Sequence, residues 1–348
     1  MLNFPEFLNF GDQLANAIDA AFNWIKEAFS WLFEFVRVVI LTSINMMSNL
    51  LTQTPWWIWV VAVLVYILGK KVFKMKYVWG YIFGLLLVWL LFYNMVIENP
   101  AIDLNLGNLQ TPWWIFVVLL FAFTKYLYNY KTAIVLSALL ASIGIFGVWD
   151  EMISTVTIII IAVFISFLIG IPFGIWMAKS ERVESILKPI LDMMQTIPSF
   201  VYLIPAVMLF KVGRVPATFA TIIYAVPPLI RLTFLGIRNV DKEMIEAGKS
   251  FGSTSKQLLF KIELPQALST IATGLNQTTM MAVAMVVIAS MIGAGGLGSI
   301  VLIANRNIDV GSGFVGGFAI VFLAIILDRV LQGVAKKLEE KRGEQKWV

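Results

Sequence analysis

An all-α, polytopic membrane fold is the architecture this sequence predicts, on three observations. Of 348 residues, 59% are hydrophobic and 14% charged, which is more apolar surface than a soluble core of one or two domains can hide. Apolar runs near the roughly 20 residues needed to cross a hydrocarbon core of about 30 Å recur along the chain. The charges between those runs alternate in sign, as they do in loops on opposite sides of a bilayer. Cysteine and histidine are both absent, which removes disulfides, thiolate chemistry and the commonest metal ligand and general base, so no catalytic residue and no metal site is expected. The net charge of +5 belongs to cytoplasmic loops on this reading, and nucleic acid is not an expected partner.

The chain opens on an amphipathic pattern. Between Asp12 and Arg37 the polar residues Asp12, Asn16, Asp19, Asn23, Glu27, Ser30, Glu34 and Arg37 recur every three or four positions, while Leu14, Ile18, Phe22, Ile25, Phe29, Leu32 and Val36 take the opposite face. This spacing predicts a helix with Asp12 as N-cap, its apolar side in the membrane interface or against the first spans. Residues 1–52 hold this helix and its lead-in. No charged n-region with a small-residue cleavage site precedes it, so no cleaved signal peptide is expected.

Candidate spans follow at about 56–69, 78–97, 113–128, 132–149, 154–178, 195–210, 216–237, 270–292 and 314–334. Lys70, Lys71, Lys74 and Lys76 fill the first connection, Glu98 and Asp103 the second, Lys125 and Lys131 the third, Asp150 and Glu151 the fourth. This alternation places residue 75 inside and residue 100 outside. Counting onward puts the polar loop 238–265 and the basic tail 335–348 inside. Lys211 and Arg214 fall on the outer side, against the rule. Residues 53–149 read as accessory spans, 150–334 as the principal membrane unit. The octapeptides Thr54-Pro-Trp-Trp-Ile-Trp-Val-Val and Thr111-Pro-Trp-Trp-Ile-Phe-Val-Val open two of the spans as an internal repeat. Tryptophan suits the headgroup level, and Pro at a first turn lacks only an amide that a helix start leaves unpaired.

Two fragments imitate nucleotide sites. Gly248-Lys249-Ser250 ends like a Walker A loop, but Glu243 stands where that motif needs its first Gly. Gly293-Ala-Gly-Gly-Leu-Gly298 has the spacing of a dinucleotide fingerprint, yet it follows a membrane helix without a βαβ unit and reads as a flexible exit from the span. Gly80-Tyr-Ile-Phe-Gly84 and Gly170-Ile-Pro-Phe-Gly174 carry the spacing that lets helix backbones approach closely.

Asn276-Gln277-Thr278-Thr279 lies inside a span, and four consecutive residues cover every face of a helix. At least one of them must face protein or a water-filled path. Gln195, Ser199, Phe200 and Tyr202 in one span and Tyr224 in another join Asn276, Gln277 and Thr279 as candidates for lining a translocation path. Interhelical hydrogen bonds of about 0.6–2 kcal/mol each are the alternative role. Arg231, near the cytoplasmic end of its span, is expected to snorkel.

From about residue 150 to 334 the chain resembles the membrane subunit of glycine betaine/proline ABC importers, a family related to choline and carnitine permeases. The resemblance rests on Met194-Gln-Thr-Ile-Pro-Ser-Phe-Val-Tyr-Leu-Ile-Pro205-Ala206, on Pro227-Pro228-Leu-Ile-Arg231, on Asn276-Gln-Thr through Gly298, and on the loop Glu246-Ala247-Gly248 … Gly252 … Ile262-Glu-Leu264-Pro265. It implies a type I importer fold, a five-helix core with extra N-terminal spans, in a bacterial cell membrane. It further implies a homodimer of permease subunits, two ABC ATPase subunits carrying ATP and Mg on separate chains, and an extracellular substrate-binding protein or fused domain. No cofactor is then expected on this chain, which is not itself an enzyme.

The loop would couple the pore to the ATPase. Ala247, Gly248 and Gly252 leave no bulk on a docking face, Glu246 can pair with a basic group there, and Ile262, Leu264 and Pro265 lead into the next span. Gly248, where the family usually has Ala, costs about 1 kcal/mol of helix propensity. Import of another small solute, an amino acid or choline or carnitine, is the alternative within the same machine. A secondary transporter is the rival outside it; it would need Asp or Glu within the spans, which are expected to hold essentially none.

Overall fold

The computed structural model describes residues 11–54, 58–59 and 112–345, and helices are the only regular secondary structure among them. In chain order they are α1 (Gly11–Ala28), α2 (Ser30–Thr52), α3 (Trp113–Leu127), α4 (Tyr130–Ile145), α5 (Trp149–Lys179), α6 (Glu181–Thr196), α7 (Leu203–Phe210), α8 (Arg214–Arg238), α9 (Lys242–Ser250), α10 (Leu264–Ala289), α11 (Leu297–Asn307) and α12 (Val310–Gln345). Among the described residues five helical stretches are long and apolar enough to cross a membrane: Ser30–Thr52, Trp149–Lys179, Arg214–Arg238, Ser255–Ile292 and Val310–Lys337. The spans expected at 56–69 and 78–97, with Gly80 and Gly84, lie outside the described residues.

The N-terminal segment departs from the single amphipathic helix expected. It breaks at Phe29, and the second half runs on to Thr52 as an apolar helix in its own right. Beyond Arg37 the polar stripe gives way to Val38-Val39-Ile40-Leu41, so the chain has apolar surface on more than one face and enters the core. Ile40 and Ile44 are buried against Ile161, Ala162 and Phe210. Asp12 lies inside the first turn of α1, which already includes Gly11, so it is not the N-cap.

A second departure concerns 195–210, which does not form one straight span. α6 ends at Thr196, Ile197 is extended before Pro198, a 3-10 turn follows over Ser199–Tyr202, and α7 leaves at 107° to α6. Proline disfavours the helical conformation of the residue before it, and Ile197 at φ −68°, ψ 129° takes the alternative. α6 is amphipathic, with Ser180 capping its N-terminus. Its acidic residues anchor it to α8, since Asp192 pairs with Arg231 and Glu184 accepts from Arg238 at 3.1 Å. Arg231 therefore has a protein partner where snorkelling was expected.

α8 is the centre of the molecule, packed along α5 on one side and α10 on the other. Small residues set the approach. A Cβ added to Gly174 would stand 2.5 Å from Thr233 Cβ and 2.8 Å from the Ile230 carbonyl oxygen, and one on Gly170 would meet Leu229 at 2.9 Å. The Gly-x-x-x-Gly spacing at 170–174 thus does what the sequence predicts. Around this contact the core gathers Ile158, Ala217, Ala282, Met285, Leu297 and Leu323. The turn 293–298 is not merely a loose exit: Leu297 N donates to Thr155 Oγ1 at 2.9 Å, and a Cβ on Gly296 would meet that same oxygen.

The α3–α4 hairpin is fastened to α12, where Tyr128 Oη donates to the Arg329 carbonyl at 2.9 Å. Pro112 is the N-cap of α3, one position before the first turn. Trp113, of the repeated octapeptide, sets its ring edge-on to Trp149 with centroids 6.4 Å apart, so it contacts protein as well as facing outward.

Gly174→Ala is expected to wedge α5 from α8 and destabilise the solubilised protein by about 1–3 kcal/mol, the usual cost of overpacking. Gly317→Ala, where nothing lies within 4 Å of the added carbon, is the control; equal melting temperatures for both variants would contradict this packing.

Candidate functional site

The loop 238–265 is built as a helix, a cap and a return. Asp241 caps α9, its Oδ1 accepting from the Glu243 amide at 2.9 Å. At the other end the Gly252 amide donates to Lys249 O at 2.9 Å and the Ser253 amide to Gly248 O at 3.1 Å. That pair of bonds is a Schellman motif, which needs a left-handed residue, and Gly252 supplies it at φ +76°. Thr254 and Gln257 then form a reciprocal capping box opening the one-turn helix Ser255–Leu258. A π-helical segment, Leu259–Glu263, leads into α10 with Pro265 in its first turn.

The small residues of this loop divide differently from the expected docking face. Gly248 is buried, and a Cβ there would stand 2.5 Å from Ile262 Cδ1 and 2.9 Å from Leu258 Cδ1. Its smallness lets α9 sit on its own return segment. Ile262 and Leu264 likewise turn inward, Leu264 joining Leu229, Ile237, Ala267 and Ile271 in a satellite core. Gly252 is exposed with nothing within 4 Å of an added Cβ, so it acts through its backbone conformation and not through bulk. Of the expected docking residues Glu246 and Ala247 remain on the outward surface, and Met244, Phe251 and Phe260 are the large apolar side chains exposed with them. Phe251 is 91% exposed and sequence reasoning missed it; the available signal was an aromatic residue in an otherwise polar stretch, directly before the capping glycine.

The candidates for a translocation path separate into two groups. Thr279 is buried and its hydroxyl donates to Leu275 O at 2.9 Å, so it serves its own helix. Asn276 Nδ2 donates to Asp328 Oδ1 at 2.9 Å across to α12. Both take the hydrogen-bonding role. Asp328 is also a carboxylate within a membrane helix, contrary to the expectation that span interiors hold none; it is satisfied by Asn276 and by Gln332 Nε2 at 2.7 Å. Gln195, Phe200 and Gln277 are exposed, and Ser199, Tyr202 and Tyr224 half-buried. Tyr202 and Tyr224 face each other with ring centroids 6.2 Å apart, and the Tyr202 hydroxyl is tied to Met194 O at 2.5 Å. On α10 the exposed Thr273, Gln277 and Ala284 fall within about 40° of one another at 100° per residue, making one small and polar stripe along the helix.

Comparison with known proteins follows this geometry. A sequence profile of the family described as the binding-protein-dependent transport system inner membrane component matches residues 170–340. The chain is 50% identical over 208 residues to the glycine betaine/proline betaine transport system permease protein ProW of Escherichia coli strain K12, covering 60% of this chain and 58% of that one. It is 48% identical over 235 residues to the glycine betaine/carnitine transport permease protein GbuB of Listeria monocytogenes serotype 1/2a strain 10403S, covering 66% of this chain and 83% of that one. The match therefore spans less than two thirds of the enterobacterial relative but most of the Listeria one. Among solved structures, an inward-facing form of the MetNI methionine ABC transporter superposes with a TM-score of 0.50 at 19% identity, covering 53% of this chain and 93% of that one. That likeness establishes the fold, the type I ABC importer membrane subunit.

Gly252→Asn, able to adopt a left-handed conformation, is expected to retain the α9 cap, whereas Gly252→Val should lose about 1–2 kcal/mol. Hydrogen exchange of the Gly252 and Ser253 amides in purified protein checks this; equal protection in both variants would contradict it.

Proposed function

Because the chain belongs to the family of inner membrane components of binding-protein-dependent transport systems, we propose that it forms half of the pore of an ATP-driven importer of glycine betaine and related compatible solutes. The observation that carries the reading is the outward surface of α9. A rigidly capped helix offers Glu246, Ala247 and a 91% exposed phenylalanine, while Gly248 seats that helix on the foot of α10. A large aromatic on a polar loop is costly to leave in water, and aromatic residues are enriched in the cores of interfaces. A groove in a partner ATPase covers it. ATP and Mg are held and hydrolysed on that partner and not on this chain, whose part is mechanical.

Two copies of the chain complete the pore. Gln277 is a polar group on the open side of a membrane helix, where lipid cannot satisfy it. A second copy facing this stripe encloses a path lined by Gln277, with the Ser199–Tyr202 turn packed against the same helix. A loaded extracellular binding protein docks outside, ATP draws the two ATPases together, and α9 shifts the core helices so the path faces outward. Moving such an equilibrium from 1:99 to 99:1 takes about 5.5 kcal/mol, all delivered through the α9 contact.

The substrate assignment rests on relatives that are glycine betaine permeases at 50% and 48% identity. It agrees with the chemistry of the half-buried Tyr202 and Tyr224 pair and of exposed Phe200. Aromatic faces hold a quaternary ammonium at roughly 0.5–2 kcal/mol each without a counter-charge, which suits passage better than tight capture.

Phe251→Ser is expected to weaken ATPase association by about 2 kcal/mol, roughly thirtyfold, with the membrane fold intact. Co-purification of the ATPase with each variant, followed by uptake of labelled glycine betaine in vesicles, measures both steps. Undiminished association of Phe251→Ser would sink the docking assignment, and a wild-type complex that hydrolyses ATP without moving glycine betaine would sink the substrate.

A further inference from the structure

The foot of the coupling loop contains a buried carboxylate that plays no part in docking. Glu263 has 3% of its side chain exposed, and its Oε2 accepts from Lys179 Nζ at 2.5 Å. Glu263 closes the π-helical segment Leu259–Glu263; single π turns are frequent at functional sites. Lys179 is the last residue of α5, so the bond joins elements 84 residues apart in sequence. Among the described residues Glu263 has no second cationic partner. A buried carboxylate is tolerated only while its countercharge stays close. Glu263 cannot move away from Lys179 without leaving a buried charge unpaired or entering water.

Direct contacts lead from α9 to this pair. The Gly248 backbone lies against Ile262, since a Cβ there would stand 2.5 Å from Ile262 Cδ1. Ile262 precedes Glu263 in the same π turn, and Glu263 holds Lys179. From Lys179 the chain runs through α5, whose Gly170 and Gly174 lock it to α8, and through Ser180 into α6. We propose that the Lys179–Glu263 ion pair carries the displacement of α9 into α5, so that both are positioning residues for the ATP-driven rearrangement. Without it, α9 would reach α5 only indirectly, through the packing of α5 on α8 at Gly170 and Gly174. The proposal rests on the coupling role of α9 but not on the identity of the solute.

The absence of cysteine from the chain permits a clean test. Ser185 is exposed on α6 and its hydroxyl donates only to Arg182 O within that helix, so Ser185→Cys gives a single thiol just beyond α5. Its rate of modification by a water-soluble maleimide is measured in the membrane-embedded complex with its ATPase, nucleotide-free and after trapping with ATP and vanadate. With the native pair, trapping is expected to change the rate by about fivefold or more, the lower end of ordinary coupling between sites. Lys179→Arg should keep the change and Lys179→Met should lose it while the ATPase still co-purifies.

Because Lys179→Met strands a buried charge, Lys179→Met combined with Glu263→Gln is the deciding variant; it removes the charge and should assemble without recovering the response. A full response in that double variant, or none with the native pair, overturns the proposal. Failure of both neutral variants to assemble with the ATPase would make the pair an assembly contact and overturn it equally. No solute enters the assay, so failure of wild-type glycine betaine uptake would remove the substrate reading and leave this one standing.

Discussion

The contact of α8 with α5 and α10 is the constraint on which the remaining structure depends. In a bilayer the lipid chains are as apolar as leucine, so helices associate by close packing and hydrogen bonds and not by expulsion of water. Close packing needs missing side chains, and they are present on both sides of α8. Gly170 and Gly174 of α5 meet Leu229 and Thr233, Gly274 of α10 meets Leu232 and Leu229, and Gly236 of α8 itself meets Ala267 and Thr270. Pro227 and Pro228, buried in the middle of α8, cost backbone donors that neighbouring helices must make up. The triple of α5, α8 and α10 is thereby a unit that moves together, and the loop joining α8 to α10 is the natural place to move it from.

That loop separates holding from presenting. Gly248, Leu258, Ile262 and Leu264 face inward and fix α9 to the foot of α10, while Glu246, Ala247 and Phe251 face outward. A helix of nine residues is too short to persist on propensity alone, so its shape comes from Asp241 at one end, the Gly252 motif at the other, and the packed underside. Only an element held on three sides can deliver several kcal/mol to the membrane helices without yielding itself.

Polar groups inside the membrane unit follow the same economy. Asp328 accepts from both Asn276 and Gln332 between α10 and α12, and Thr124, Thr157, Thr221 and Thr279 return their hydroxyls to the carbonyl four residues earlier. Ser137, Ser154, Ser166, Thr233 and Thr278 hold buried hydroxyls without such a bond, spread over α4, α5, α8 and α10, while Gln277 lies on the open face of α10. Asp309, just outside the membrane, accepts from the Ser312 hydroxyl and amide, which hold its carboxyl below the usual range and start α12.

Much of this was legible in the sequence. Composition and repeated apolar runs determined an all-helical membrane protein, because nothing else buries so many apolar residues. The Gly170–Gly174 spacing determined a close helix contact, and the spacing from Glu246 to Pro265 picked out the capped loop between α8 and α10, since glycines and prolines constrain the backbone wherever they occur. Direction is what the tertiary structure decided. Which way Gly248, Thr279 and Asn276 point, that 195–210 bends at Pro198, that α2 leaves the amphipathic pattern to enter the core, and that Glu263 finds Lys179 all depend on neighbours distant in sequence. A local pattern states what a residue can do; the packing of a second helix against it selects which of those things it does.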